Sequence, residues 1–163
     1  MIVSPAFAGK RYAILGLARS GLAAVETLLA SGAHVMAWDA RDEPRQQMAG
    51  RVELADPVTA DLTGYDGVVV SPGIPLNTHP IAEAARRYGV PVIGDIELFA
   101  LARASLPAHR VVGITGTNGK STTTALVQHL LKSAGVDARV GGNIGVPVLS
   151  AEPLPEGGVY VLE

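Results

Sequence analysis

The chain has 163 residues, enough for one ordinary domain or for a small domain with part of another. Apolar residues make up 48% and charged residues 17%, which argues for a folded core and against disorder. A net charge of −2 with two Phe and one Trp leaves no basic stripe and no stacking platform, so nucleic acid is not an expected partner.

Short β-branched runs alternate with Ala/Leu-rich helical segments, the pattern of a parallel sheet covered by helices. Arg11–Leu15 reads as a first strand. Gly16 opens a turn, and Leu22, Val25, Leu28 and Leu29 mark one face of a helix that Gly32 ends. His34–Trp38 is a second strand, closed by Asp39. The stretch Arg41–Asp66 is harder to read, with Val52-Glu53-Leu54 as a short strand. Gly67–Val70 and Val90–Ile93 are further strands around an Ile81–Tyr88 helix. A helical connector, Leu98–Pro107, leads to a strand at Arg110–Thr115, a Gly-rich loop and a helix reaching Ser133. Strands at Ala138–Val140 and Val159–Leu162 complete the order, and Glu163 is the last residue.

The sequence has no cysteine, hence no disulfide framework and no thiolate metal site, as suits a reducing cytoplasm. The apolar Met1–Gly9 precedes Lys10-Arg11, the reverse of a secretory signal. The longest uncharged run, Gly67–Ala82, carries Pro72, Pro75 and Pro80, which argues against a membrane span. A soluble chain is expected. The four histidines show no metal spacing.

The most informative stretch is Gly113–Thr124. A strand, a Gly-rich turn and a helix start with Lys and Ser form a phosphate cradle, in which backbone N–H groups and the helix dipole face an anion. Lys120 supplies a full charge for the β- and γ-phosphates, and the Ser121 hydroxyl can ligate Mg²⁺. Ile114 stands where the longer P-loop spacing has glycine, so the match is to the short form beginning at Gly116.

A second loop, Gly16–Gly21, has the outline of a dinucleotide fingerprint with Ala18 at its middle glycine position, and Asp39 ends the next strand. Two readings stay open here: a nucleotide site, favoured by the nearby Arg19 and Arg41, or a strand–helix turn with Asp39 capping its own loop. Ser71–Pro75 follows the third clear strand at its carboxyl end, Asp95 and Glu97 suit a helix N-terminus, and Gly141–Gly145 is a flexible loop. Glu163, a carboxylate at a strand tip beside a phosphate loop, is placed as a Mg²⁺ ligand.

Taken together these motifs resemble the Mur ligases, ATP-dependent amide-forming enzymes of peptidoglycan synthesis. The carriers are GTNGKST at Gly116–Thr122, GGNIG at Gly141–Gly145, Ser71-Pro72-Gly73-Ile74, and GDIELF at Gly94–Phe99. The last three point to the branch that joins D-glutamate to UDP-N-acetylmuramoyl-L-alanine. The resemblance implies a Rossmann-like parallel-sheet domain over 1–97 that binds the UDP substrate. The start of a central P-loop ATPase domain would follow over 98–163. It implies a cytoplasmic enzyme using ATP and Mg²⁺, with no obligate protein partner.

Residue by residue, Gly16, Leu17, Arg19 and Ser20 would lie on the UDP diphosphate, Asp39 and Arg41 at the uridine end, and Ser71 in the same pocket. Asn143 would face the substrate from the second domain. Gly116, Thr117, Asn118, Gly119, Lys120, Ser121 and Thr122 would hold ATP, with Lys120 catalytic and Ser121 and Glu163 on the metal. Groups for adenine and D-glutamate would lie outside this chain, which is expected to be an inactive N-terminal piece. Another ligase of the superfamily, acting on a different UDP-muramoyl peptide or on folate, and a nicotinamide-dependent oxidoreductase are the alternatives.

Overall fold

The computed structural model describes all residues from 1 to 163. Eight strands and five α-helices follow one another as β1 (Arg11–Leu15), α1 (Arg19–Ala30), β2 (His34–Trp38), α2 (Asp42–Met48), β3 (Glu53–Leu54), β4 (Gly67–Val70), α3 (Ile81–Arg87), β5 (Val92–Ile93), α4 (Asp95–Ala102), β6 (Arg110–Gly113), α5 (Lys120–Ser133), β7 (Ala138–Gly141) and β8 (Val159–Leu162). They form two parallel sheets, ordered β3-β2-β1-β4-β5 and β6-β8-β7.

Alternation along the strands builds the core. On β1, Tyr12 and Ile14 point to one side while Ala13 and Leu15 point to the other, and β4 splits Val69 from Val68 and Val70 in the same way. Both faces are buried, as parallel sheets require. One face meets α1 and α4; the other meets α3 together with Leu62 and Tyr65. A buried aliphatic side chain of this kind contributes roughly 1.5–3 kcal/mol.

The larger apolar cluster does not stop at the first sheet. It runs through Leu98 and Phe99 of α4 to Val148, Leu149 and Leu154, then to Tyr160 and Leu162 of β8. The Leu149 carbonyl also accepts the Ile2 N–H at 2.9 Å and the Thr27 hydroxyl at 3.2 Å. The turn at Val148–Ser150 is thereby held against α1, which fixes the loop after β7 close to the loop after β1. Residues 97 and 98 both fall inside α4, so a division there cuts a helix rather than a linker.

Some elements depart from the sequence expectations. β5 covers Val92–Ile93 alone and β6 stops at Gly113, two residues short at one end in each case. The helix α2 falls in the stretch that was hard to read. Pro44 sits in its first turn, where a missing N–H costs nothing, and Asp42 accepts from Arg45 at 2.9 Å and from Gln46 at 2.6 Å. On α5 the side facing β7 and β8 carries Thr124, Val127 and Leu131, at spacings of three and four. Leu126 and Leu130 stand on another side and are 53% and 58% exposed. No helix is long and apolar enough to cross a membrane.

Candidate functional site

The order of the first sheet reverses between β1 and β4, and a crevice opens there at the carboxyl ends of the strands. Two adjoining cavities occupy it and share Ala18, Ser71 and Gly73 as walls. The larger, about 500 Å³, lies over the loops that follow β1, β2, β3 and β4 and includes Gly16, Trp38, Asp39, Asp56, Ile74 and His79. The smaller, about 250 Å³, is closed on its far side by Gly142, Asn143, Gly145 and Pro147 from the loop after β7.

Local chemistry holds the first loop in shape. Gly16 has φ +92°, and a Cβ there would come within 2.8 Å of the Ser71 side chain. Gly21 packs its Cα face against the Gly16 carbonyl, leaving no room for any side chain. The Ser71 hydroxyl donates to the Gly16 carbonyl at 2.8 Å, tying β4 to the turn after β1.

Asp39 is buried at 7% exposure and accepts from three sides. Leu17 N–H reaches Oδ2 at 2.7 Å, Arg41 N–H reaches Oδ1 at 2.9 Å, and the Arg41 guanidinium lies 3.1 Å from Oδ1. Burial by itself would raise this carboxyl, but the Arg41 guanidinium and the two amides outweigh it and hold its pKa at about 2. The carboxylate is therefore ionised and already organises the loop.

Gly16, Asp39 and Ser71 line the larger cavity, and Arg19, Ser20, Ser71 and Asn143 line the smaller. Arg19 spans the crevice, its Nη2 donating to the Gly145 carbonyl at 2.8 Å. Leu17 and Arg41 border neither cavity. Leu17 turns its side chain into the core, 2% exposed, and spends its N–H on Asp39; Arg41 folds back on the same carboxylate. Ile74 belongs to the Ser71–Pro75 segment singled out from the sequence, whereas Trp38, Asp56 and His79 escaped the motif reading. The usable signal was their position at the carboxyl end of β2 (Trp38) or in the segments after β3 and β4 (Asp56, His79), where ligands of parallel sheets sit.

The loop after β6 stands apart from this crevice. Gly119 adopts the left-handed conformation (φ +73°) and opens α5, and Lys120 Nζ donates to the Gly116 carbonyl at 2.7 Å. Ile114 N–H joins the Leu162 carbonyl at 2.8 Å, and Asn143 N–H lies 3.3 Å from the Glu163 carbonyl. Glu163 thus sits where the loops after β6 and β7 meet, with a buried Oε2 that has no hydrogen-bond partner. The chemistry of an orphaned carboxylate oxygen at this junction, together with a hydroxyl at Ser121 in the first turn of α5, suits a Mg²⁺ ion. No cluster of three acidic, His or Cys groups is present. At α4, Glu97 caps the helix through Gly94 N–H at 2.9 Å, as its position suggests. Asp95 differs: it is 6% exposed, its Oδ2 has no partner, and burial pushes its carboxyl up against the opposing pull of the Asp95 and Ile96 amides at the helix start.

The family model for the N-terminal domain of MurD-like Mur ligases matches residues 10–94. The chain belongs to this family. The match takes in the whole five-stranded sheet, from β1 to β5, and with it the larger cavity. Among curated relatives, the UDP-N-acetylmuramoylalanine--D-glutamate ligase of Novosphingobium aromaticivorans is 72% identical over the full chain. Proteins of the same name from Sphingopyxis alaskensis and Zymomonas mobilis subsp. mobilis are 67% and 57% identical, again over all of this chain. The chain spans 37%, 38% and 40% of the length of these Mur ligases.

Proposed function

We propose that this chain supplies the substrate-binding half and the first ATP-binding elements of a ligase that joins D-glutamate to UDP-N-acetylmuramoyl-L-alanine. In this reading the five-stranded sheet is a Rossmann-like UDP-substrate domain, residues 1–97, and residues 98–163 begin a P-loop ATPase domain. The observation that carries it is the pair of separate loops, Gly16–Gly21 on the crevice and Gly116–Lys120 at the start of α5, in a chain 72% identical throughout to a protein of that name.

The geometry supports a physical role for each part. The smaller cavity, with Arg19 and the α1 N-terminus on one side and Asn143 on the other, accommodates a diphosphate. The larger and more apolar cavity takes the uridine, with Asp39 keeping the connecting loop rigid. At the other loop, Gly116–Thr122 cradles the ATP phosphates and Lys120 exchanges its Gly116 carbonyl for a phosphate oxygen. Ser121 and Glu163 are the groups that would hold Mg²⁺, which would supply charge neutralisation on the phosphates. A substrate carboxylate attacking the γ-phosphate brings two anions together, so the cation at Lys120 matters most in that step. The bond to the β-phosphate breaks, ADP leaves and an acyl phosphate results, from which the D-glutamate amine displaces phosphate.

Calorimetry on this chain with UDP and, separately, with NAD tests the assignment of the crevice. UDP is expected to bind and NAD to be refused. Binding of NAD without UDP would return the first loop to a nicotinamide enzyme.

A further inference from the structure

Ser20 and Asp95 stand at the starts of two helices that share one face of the first sheet. α1 and α4 pack into the same apolar cluster, and each begins just past the carboxyl end of a strand. Ser20 lines the smaller cavity, whereas Asp95 borders neither cavity and is buried. Asp95 Oδ2 has no hydrogen-bond partner, and no cation pairs with the carboxyl. Burial pushes this carboxyl up; its own amide, that of Ile96 and the Ser20 hydroxyl pull it down, and Glu97 pushes it up again. No neighbour supplies a countercharge. On α1, Arg19 reaches away to the Gly145 carbonyl and Glu26 pairs with Arg51. Of the turns packed on α4, Pro5–Phe7 and Val148–Ser150 carry no titratable side chain, and Arg103 donates to His109.

A serine has one hydroxyl proton to give. The Ser20 hydroxyl acts on Asp95 in the lowering sense, as a donor to an ionised carboxyl does. With its proton spent there, Ser20 has only lone pairs for the cavity. An anion entering would meet those lone pairs and, behind them, a buried charge of its own sign. A proton on Asp95 reverses both effects. The carboxyl O–H then donates to Ser20 Oγ, and the Ser20 O–H is free for an oxygen of the ligand.

We propose that Asp95 is a positioning residue for the diphosphate: it takes up a proton from water as the ligand binds and turns the Ser20 hydroxyl toward a phosphate oxygen. The inference rests on the reading of the crevice as the UDP-substrate site and adds to it a residue that the ligand does not touch. Binding favours protonated Asp95, so affinity is full at low pH. It falls as the pH rises through the titration of Asp95 in the free chain, by up to about ten-fold per pH unit.

Calorimetric titration of the chain with UDP-N-acetylmuramoyl-L-alanine from pH 5 to 8 is the measurement. The diphosphate of this ligand is esterified at both ends and its carboxyl ionises at about 3.5, below the range. Asp95→Asn keeps every other titrating group, His79 included, so the difference between the two profiles belongs to Asp95. Its amide donates to Ser20 at every pH, so it should match wild type at pH 5 and bind more tightly than wild type at pH 8. Asp95→Leu has no donor and should bind about five- to twenty-fold more weakly at pH 5. In a Ser20→Ala background the same Leu substitution should cost less than about two-fold, a coupling that a packing role for Asp95 would not produce. Far-UV circular dichroism shows which variants are folded, and the Asn comparison decides by itself if the Leu variant is not. Superimposable pH profiles for wild type and Asp95→Asn, or additive losses from Asp95→Leu and Ser20→Ala, would overturn the proposal while leaving the crevice as the UDP-substrate site. Failure of wild type to bind the ligand at any pH would remove the crevice assignment and this inference with it.

Discussion

Asp39 Oδ2 accepts the main-chain N–H of Leu17 at 2.7 Å, so the end of β2 holds the turn that follows β1. The two residues are 22 positions apart, and parallel pairing of β1 with β2 brings them together. On the other side of the same turn, Ser71 grips the Gly16 carbonyl. The loop is consequently shaped before any ligand arrives, and the ordering entropy of a flexible loop is not charged against binding.

This arrangement makes stability depend on acid. Asp39 has a folded-state pKa of about 2 against an ordinary 3.8, so the folded form favours the ionised carboxylate. Its contribution, roughly 2 kcal/mol, is complete above pH ~5 and is lost as the pH falls through 3.8 toward 2. Urea unfolding of wild type and Asp39→Asn between pH 2 and 7 checks this. The variant should be less stable at pH 7, and the gap should close toward pH 2. A gap that stays constant with pH would show that the carboxylate's charge is not the stabilising feature.

The two loops should respond separately to substitution. Asp39→Ala releases the Leu17 N–H and is expected to weaken UDP binding about ten- to a hundred-fold. Arg41→Ala should act in the same direction through the loosened carboxylate. Lys120→Ala should leave UDP affinity unchanged in this chain, yet cost on the order of 10²-fold or more in rate in a full-length enzyme. Calorimetry on the three variants, with turnover for the last, distinguishes these effects; loss of UDP binding in Lys120→Ala alone would mean that the two nucleotides belong to the opposite loops.

Gly21→Ala is predicted to be more damaging than any of these. The added methyl would collide with the Gly16 carbonyl oxygen, a backbone atom that cannot rotate away. Overpacking of this sort costs typically about 1–3 kcal/mol, and here it also displaces the loop that would hold the diphosphate. A thermal melt and a UDP titration should both suffer. A variant with native stability and native UDP affinity would show that the α1 start is more pliant than its packing implies.

Leu149 and Leu126 offer a matched contrast. Leu149 is fully buried where the turn before β8 meets α1, so Leu149→Ala should cost about 2–5 kcal/mol. Leu126 is more than half exposed on α5, and Leu126→Glu should change stability by no more than about 0.5 kcal/mol. Denaturant midpoints settle both, and comparable losses in the two variants would contradict the exposed side of α5.

Much of this was legible in the residues themselves. Period-two and period-3.6 patterns are local, so β1, α1, β2, β4, α3, α5, β7 and β8 could be placed from composition and spacing, as could the positions of the Gly-rich loops. α2 was not, because its seven residues are mostly polar and include Pro44, and its support comes from side-chain bonds among Asp42, Arg45 and Gln46. Partnership is a different kind of information. Whether Asp39 faces a ribose or a neighbouring amide, whether Arg41 lines a pocket or folds back, and whether Arg19 meets Gly145 across 126 positions depend on how crossovers bring strand ends together. The same holds for Leu126 and Leu130, whose apolar character is plain in the sequence but whose exposure follows from which side of α5 a three-stranded sheet covers. The sequence by itself determined the elements and the chemical content of the loops, because both arise from near neighbours. Only the tertiary structure decided which groups are already satisfied and which remain free for a ligand, because that depends on contacts between residues far apart in the chain.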